Sequence, residues 1–252
     1  MRRFLAILSV CSASALAEPS VMRFSIAESW SMPLIRLEDQ VPVQGILFDL
    51  MKAVAREAEI TPQYHVLARL RLEQAMLDGD IDVRCYVASD WLNERPGNFI
   101  WSVPLIRQRD LLVGRAGESL PGGLAQLPAQ AIGTVLGYTY PALQPLFAQH
   151  LLQREDSRNQ DLALQKLQAG RYRYAVSNQL SLQWFNRQQT AEQRLRPLLL
   201  LEEQDLGCMV RNDPNIPAQR VLRAMVRLKQ SGEVERIVQR YTQAAELQSA
   251  DQ

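Results

Sequence analysis

The stretch Asp80–Gly114 constrains the fold of this 252-residue chain more than any other. It opens on an apolar strand pattern, Ile81–Val87, and passes through a polar turn bearing an aromatic, Ser89 to Pro96. An extended run, Trp101–Ile106, then leads to a second strand, Asp110–Gly114. A strand, a cationic turn and a strand that leads elsewhere suit a segment that leaves one structural unit past a cleft and enters another. The length permits one large domain or two small lobes, each with a core of its own.

The flanking pattern is that of an α/β protein. Val21–Ala27 alternates as a strand, and Glu28–Pro33 ends it in a polar, aromatic loop. Gly45 leads into an amphipathic helix through about Ala58, with Ile46, Leu50, Val54 and Ala58 on one stripe. Thr61–Leu67 reads as a strand and Leu70–Leu77 as a short helix stopped by Asp78-Gly79. Strand, helix, strand, helix, strand is an open α/β sheet pattern. A second, smaller unit follows Gly114. Its predicted elements are a strand at Gln130–Val135, a helix at Pro141–Leu152, a helix at Asp161–Gln168, a strand at Tyr172–Ser177 and a helix at Leu180–Gln188. Two short strands, Pro197–Leu201 and Gly207–Arg211, precede helices from Asn215 to Gln230 and from Glu233 to about Ala245.

The N-terminus carries Arg2 and Arg3, an apolar run from Phe4 to Val10, and Ala15-Leu16-Ala17. This is the pattern of a signal peptide over residues 1–17, with Glu18 opening the mature chain in the periplasm. The run is too short to span a bilayer, and no later segment reaches the ~20 apolar residues a transmembrane helix needs. Export removes Cys11 and leaves Cys85 and Cys208, either a disulfide or two separate buried thiols. The charge is balanced, 28 basic against 27 acidic residues, and gives no electrostatic footprint for nucleic acid. The two histidines, His65 and His150, form no metal-ligand spacing with cysteine or carboxylate. No GxSxG, P-loop or dinucleotide fingerprint is present, so the sequence points to no enzyme and no cofactor.

Seven short words occur in order along the chain: Gly45-Ile-Leu-Phe-Asp-Leu50, Leu77-Asp-Gly-Asp-Ile-Asp82, Trp101-Ser-Val-Pro-Leu105, Gly133-Thr-Val-Leu-Gly-Tyr-Thr139, Leu167-Gln-Ala-Gly-Arg171, Leu206-Gly-Cys-Met-Val-Arg211, and Ser231-Gly-Glu233 leading to Tyr241. In this order they resemble the family 3 periplasmic solute-binding proteins, amino-acid-binding type, over nearly the whole mature chain. The resemblance implies a periplasmic binding protein-like type II fold, two α/β lobes joined by two crossing strands. Lobe 1 would hold residues 22–106 plus 209–246, and lobe 2 residues 107–208. It implies a monomer that captures a small polar, amino-acid-like solute and presents it to an ABC permease or to a membrane receptor. Fold-level likeness is an analogy for function, not a demonstration of it.

The resemblance also nominates ligand-binding residues. Arg95 lies six residues before Trp101, where the family's amino-acid binders carry the arginine that clamps the ligand carboxylate. The family's threonine three residues earlier is Leu92 here, and Ser89 is expected to supply the hydroxyl. Thr139, with the N–H groups of Tyr138 to Tyr140, is expected at a helix N-terminus that attracts anions or is capped by Thr139 itself. Asn178 stands where those binders carry an aspartate for the ligand ammonium, and Glu28 is expected to replace the lost charge. Trp30, Tyr86, Trp91, Trp101, Tyr138 and Tyr140 fall in segments expected to line the cleft, with Arg69 beside them. An enzymatic alternative, a dehydratase using cleft carboxylates, would rest on Glu28 with Glu94.

Overall fold

The computed structural model describes residues 20–92, 98–120 and 122–242. The first half of the chain folds as β1 (Val21–Ala27), β2 (Arg36–Glu38), β3 (Val41–Gln44), α1 (Ile46–Glu57), β4 (Thr61–Leu67), α2 (Leu72–Leu77), β5 (Val83–Val87) and β6 (Phe99–Trp101). After β7 (Ile106–Gly114) come β8 (Gln130–Val135), α3 (Gln144–Ala148), β9 (Leu152–Ser157), α4 (Gln160–Gln168), β10 (Tyr174–Asn178) and α5 (Gln179–Asn186). β11 (Arg196–Arg211), α6 (Ala218–Gln230) and α7 (Glu233–Thr242) complete the described chain.

Nine strands join in the order β4-β1-β5-β11-β7-β10-β8-β9, with β6 also paired to β11, and β2 and β3 form a separate hairpin. The two ends of this sheet repeat one plan. In each, three strands stand in the order second, first, third: β4-β1-β5 on one side and β9-β8-β10 on the other, both sets parallel. An antiparallel neighbour closes each set, β11 beside β5 and β7 beside β10.

β7 and β11 connect the two ends. Arg196–Leu206 of β11 pair with β7, and the register then shifts at Gly207/Cys208. From there Gly207–Val210 pair with β5 and Met209–Arg211 with β6. Cys85 and Cys208 are disulfide-bonded, which fastens β11 to β5 where it joins that side of the sheet. The two short strands expected from the sequence are thus one strand of 16 residues. Its polar middle, Glu202-Glu203-Gln204-Asp205, hides the continuity. On its outer face Arg107 pairs with Asp205 at 3.0 Å and Arg109 with Glu203, cross-strand ion pairs that hold the ribbon in register.

The first half buries its largest core between β1, β4 and β5 on one side and α1, α6 and α7 on the other, with Phe24, Ile46, Val54, Val221 and Met225 fully covered. Gly45 enters α1 at φ 129°, and a Cβ there would lie 2.5 Å from the Leu34 carbonyl oxygen, so glycine is required. Its N–H donates to the Tyr241 hydroxyl at 3.1 Å, which ties α7 to the start of α1. Asp82, at 2% exposure, accepts hydrogen bonds from both Arg23 and Arg211 and locks β1 to the end of β11. Two apolar clusters flank the other half, one around Leu164, Leu167 and Phe185, the other around Ile132, Leu143 and Tyr174.

One expected helix is corrected. Pro141–Leu152 does not form a single helix; a 3₁₀ turn (Pro141–Leu143) and the five-residue α3 end before His150 at φ 57°, and Leu152 begins β9. β9 is an edge strand that fully buries only Leu152 and Ser157. Edge strands carry charge on their open side, which erases the alternation that would reveal them. Among the described residues no helix is long and apolar enough to cross a membrane.

Candidate functional site

In sheets of this kind ligands bind beyond the carboxyl ends of the parallel strands, where the strand order reverses. Here the carboxyl ends of the two parallel sets face one another. The loop after β1 brings Trp30, the 3₁₀ turn after β4 brings Arg69, and β5 and the turn after it bring Tyr86 and Trp91. From the other side the turn after β8 brings Tyr138, Thr139 and Tyr140. Gln108 and Asp110 of β7 form the floor. These residues enclose a cavity of about 20 Å³.

The walls are aromatic. Tyr86 meets Trp30 edge-on at 6.0 Å and Trp91 at 6.5 Å. It adopts φ 60°, an uncommon conformation for a bulky residue, and its hydroxyl has no hydrogen-bond partner at 6% exposure. The Arg69 guanidinium lies between two rings, 5.5 Å from the centre of Trp91 and 5.0 Å from that of Tyr138. It therefore reaches from one half of the sheet to the other. Arg84 in β5 is 5% exposed; burial first, and the Arg69 charge second, pull its pKa down to about 10.

The turn that carries Tyr138 is held from behind. Arg154 of β9 donates to the carbonyls of Tyr138 at 2.9 Å and Val135 at 3.0 Å, pairs with Asp156 at 2.8 Å, and lies over the Tyr140 ring at 5.3 Å. The Tyr140 hydroxyl accepts from the Val135 N–H at 2.9 Å. Gly137 at φ 75° brings this turn against the opposite half, where an added Cβ would sit 3.2 Å from both Arg69 and Leu70.

The floor follows from strand periodicity. Along β7, Arg107 and Arg109 face outward, so Gln108 and Asp110 share the inner face. Gln108 donates to both Asp110 carboxylate oxygens, at 2.9 and 3.0 Å. Opposite them in β11, Gln204 donates to Glu202 at 2.5 Å. Burial, with the Glu202 charge adding to it against the Gln108 hydrogen bonds, raises the Asp110 pKa to about 6. Positive charge therefore enters the cleft from Arg69 and negative charge from the crossing ribbon.

The expected site residues divide accordingly. Trp30, Arg69, Tyr86, Trp91, Tyr138, Thr139 and Tyr140 line the one cavity. Glu28 lines a second cavity of about 470 Å³, which shares Arg69 with the first, with Leu70, Leu136 and Arg158. Ser89 and Trp101 line another, of about 290 Å³, with Ser102, Asp205 and Gly207. Asn178 lines none of these three cavities; its side chain accepts from the Ser181 N–H at 2.9 Å and caps α5. Thr139 caps no helix among the described residues, and of the three N–H groups expected there that of Tyr138 is bonded to the Val135 carbonyl. Arg95 and Glu94 lie outside the described residues. Asp110, Gln108 and Arg154 were not nominated by the sequence, and the polar run Arg107 to Asp110 carries no hydrophobic alternation that would have found the first two.

Neither a protein-family model nor a curated protein sequence matches the chain. Solved structures do. An ancestral arginine-binding protein bound to arginine superposes with a TM-score of 0.72 at 18% identity, covering 88% of this chain and 98% of its own. The substrate-binding protein of an amino acid ABC transporter gives 0.69 at 16%, covering 89% and 100%. A histidine kinase sensor domain with similarity to periplasmic binding proteins gives 0.70 at 19%, covering 88% and 96%. At such identities the likeness defines the fold: it is periplasmic binding protein-like type II, two α/β lobes joined by crossing strands.

Proposed function

We propose that this is an exported, periplasmic solute-binding protein that captures a small polar, amino-acid-like solute between lobes 22–106 plus 209–246 and 107–208. The observation that carries the reading is that residues from both parallel strand sets and from the crossing ribbon converge on one aromatic cavity. Its volume of about 20 Å³ has room for about one water. An amino acid is admitted only if Arg69 and the rings part, so capture requires the lobes to open and reclose about β7 and β11. Aromatic walls exclude water from the closed site and strengthen the charged contacts within it. Delivery to an ABC importer as a monomer is the role this reading favours. A sensing role is the second reading, favoured by the likeness to a kinase sensor domain. The test is a thermal-shift screen of amino acids, amines and organic acids followed by X-ray scattering. A stabilising hit with a smaller radius of gyration supports the reading. Hits that leave the radius unchanged at every lobe arrangement sampled refute the capture mechanism.

A further inference from the structure

We propose that Asp110, on the inner face of the crossing ribbon, receives a protonated nitrogen of the ligand. The inference rests on the solute-binding reading above and names the pole of the cleft that recognises the solute's cation. Three observations carry it. Asp110 lines the cavity and makes no ion pair among the described residues, its oxygens being held instead by the neutral amide of Gln108. The neighbouring strand repeats the arrangement directly opposite, where Gln204 faces Gln108 and holds Glu202 across from Asp110, so two carboxylates share one inner face with no ion pair to either among the described residues. Such a pair is unfavourable unless a positive charge arrives. The third observation is independent of the acids: the Tyr86 hydroxyl, 6% exposed and unpartnered, lines the same cavity beside Asp110. A buried hydroxyl left unbonded is costly, and a ligand N–H donated to Tyr86 and Asp110 together satisfies both.

Arg69 does not fill this role. It makes no ion pair with Asp110 and lies instead over the Trp91 and Tyr138 rings. The side chain of Asn178, directly opposite Asp110 in the β10–β7 register, is committed to capping α5. Among the described residues lining the cavity, Asp110 is thus the acidic group available to bond a ligand.

The experiment titrates the full mature protein by calorimetry with three matched sets: the standard L-amino acids, the primary amines left by removing their carboxylates, and the acids left by replacing the amino group with hydrogen. Every compound that binds the wild type is expected to carry a cationic nitrogen, and Asp110→Asn is expected to weaken it ten- to a hundredfold while melting cooperatively. Tight binding by the nitrogen-free acids, or an Asp110→Asn affinity within twofold of wild type, overturns the assignment to Asp110 while leaving a binding protein in place. No binding by any of the three sets defeats both the assignment and the reading on which it rests.

Discussion

Replacing Asp110 by asparagine should make the unliganded protein more stable, and only at neutral or alkaline pH. The carboxyl titrates at about 6 in the folded chain against an ordinary 3.8. A folded-state value above the unfolded one means that the native protein binds the extra proton between these limits. Stability therefore falls as pH rises from about 4 to about 6 and is flat above that. A rise of about two units corresponds to about 3 kcal/mol. Solvent reaching the partly exposed carboxylate reduces this to about 2 kcal/mol. Asparagine keeps an acceptor for Gln108 but brings no charge. For a chain of this size, Asp110→Asn is expected to raise the Tm by roughly 4–8 °C at pH 8 and to leave it within a degree or two at pH 4. Scanning calorimetry of ligand-free wild type and variant at the two pH values reads the effect directly. Equal melting temperatures at pH 8, or the same shift at both, would refute the claim that burial of an ionised Asp110 opposes folding.

Two further perturbations test the surrounding frame. Gly137→Leu places a side chain at φ 75° against Arg69 and Leu70, where even a Cβ would come within 3.2 Å; it is expected to wedge the cleft, enlarging the radius of gyration in scattering and weakening any ligand tenfold or more, and a wild-type radius with wild-type affinity would contradict it. Replacing both Cys85 and Cys208 by serine opens a bond closing 123 residues of chain; the loss is about 5 kcal/mol in the chain-entropy model, read as a Tm lowered by roughly 10 °C or more, and an unchanged Tm would show that the bond adds nothing to this fold.

The fold was legible where burial is one-sided and the site was not where burial is mixed. The stripe of Ile46, Leu50 and Val54 marks α1 because those residues face a core and their neighbours face water. Every residue of β5 is buried, Arg84 included, and the β-branched and aromatic residues around it mark the strand without a clean alternation. β7 alternates too, but between two kinds of polar residue: Arg107 and Arg109 outward, Gln108 and Asp110 inward. A pattern rule built on hydrophobicity has nothing to detect there, and the strand was expected to begin only at Asp110. Asn178 was nominated by resemblance, yet local chemistry claims it, since an asparagine before a helix satisfies a free N–H of the first turn. Arg154 was missed because an edge strand of Gln153-Arg154-Glu155-Asp156 has the composition of a loop.

The position of Asp110 has a consequence for closure. Its raised pKa comes first from burial, and the cavity it lines is shared with Tyr138 and Tyr140, which belong to the turn after β8 rather than to the ribbon. Opening the cleft restores water to the carboxylate and closing removes it. On the proposed reading, closure on nothing therefore costs much of the desolvation of one carboxylate. Closure on a cation offsets that cost by a direct ionic hydrogen bond. A ligand shifts the lobes only by the difference in its contacts between open and closed states, and a carboxylate buried by the closing turn enlarges that difference without adding affinity to the open form. Arg69 contributes in the opposite sense, because its contact with Tyr138 favours closure with or without ligand. On the proposed reading, the balance between that contact and the desolvation of Asp110 sets how far the empty cleft stands open.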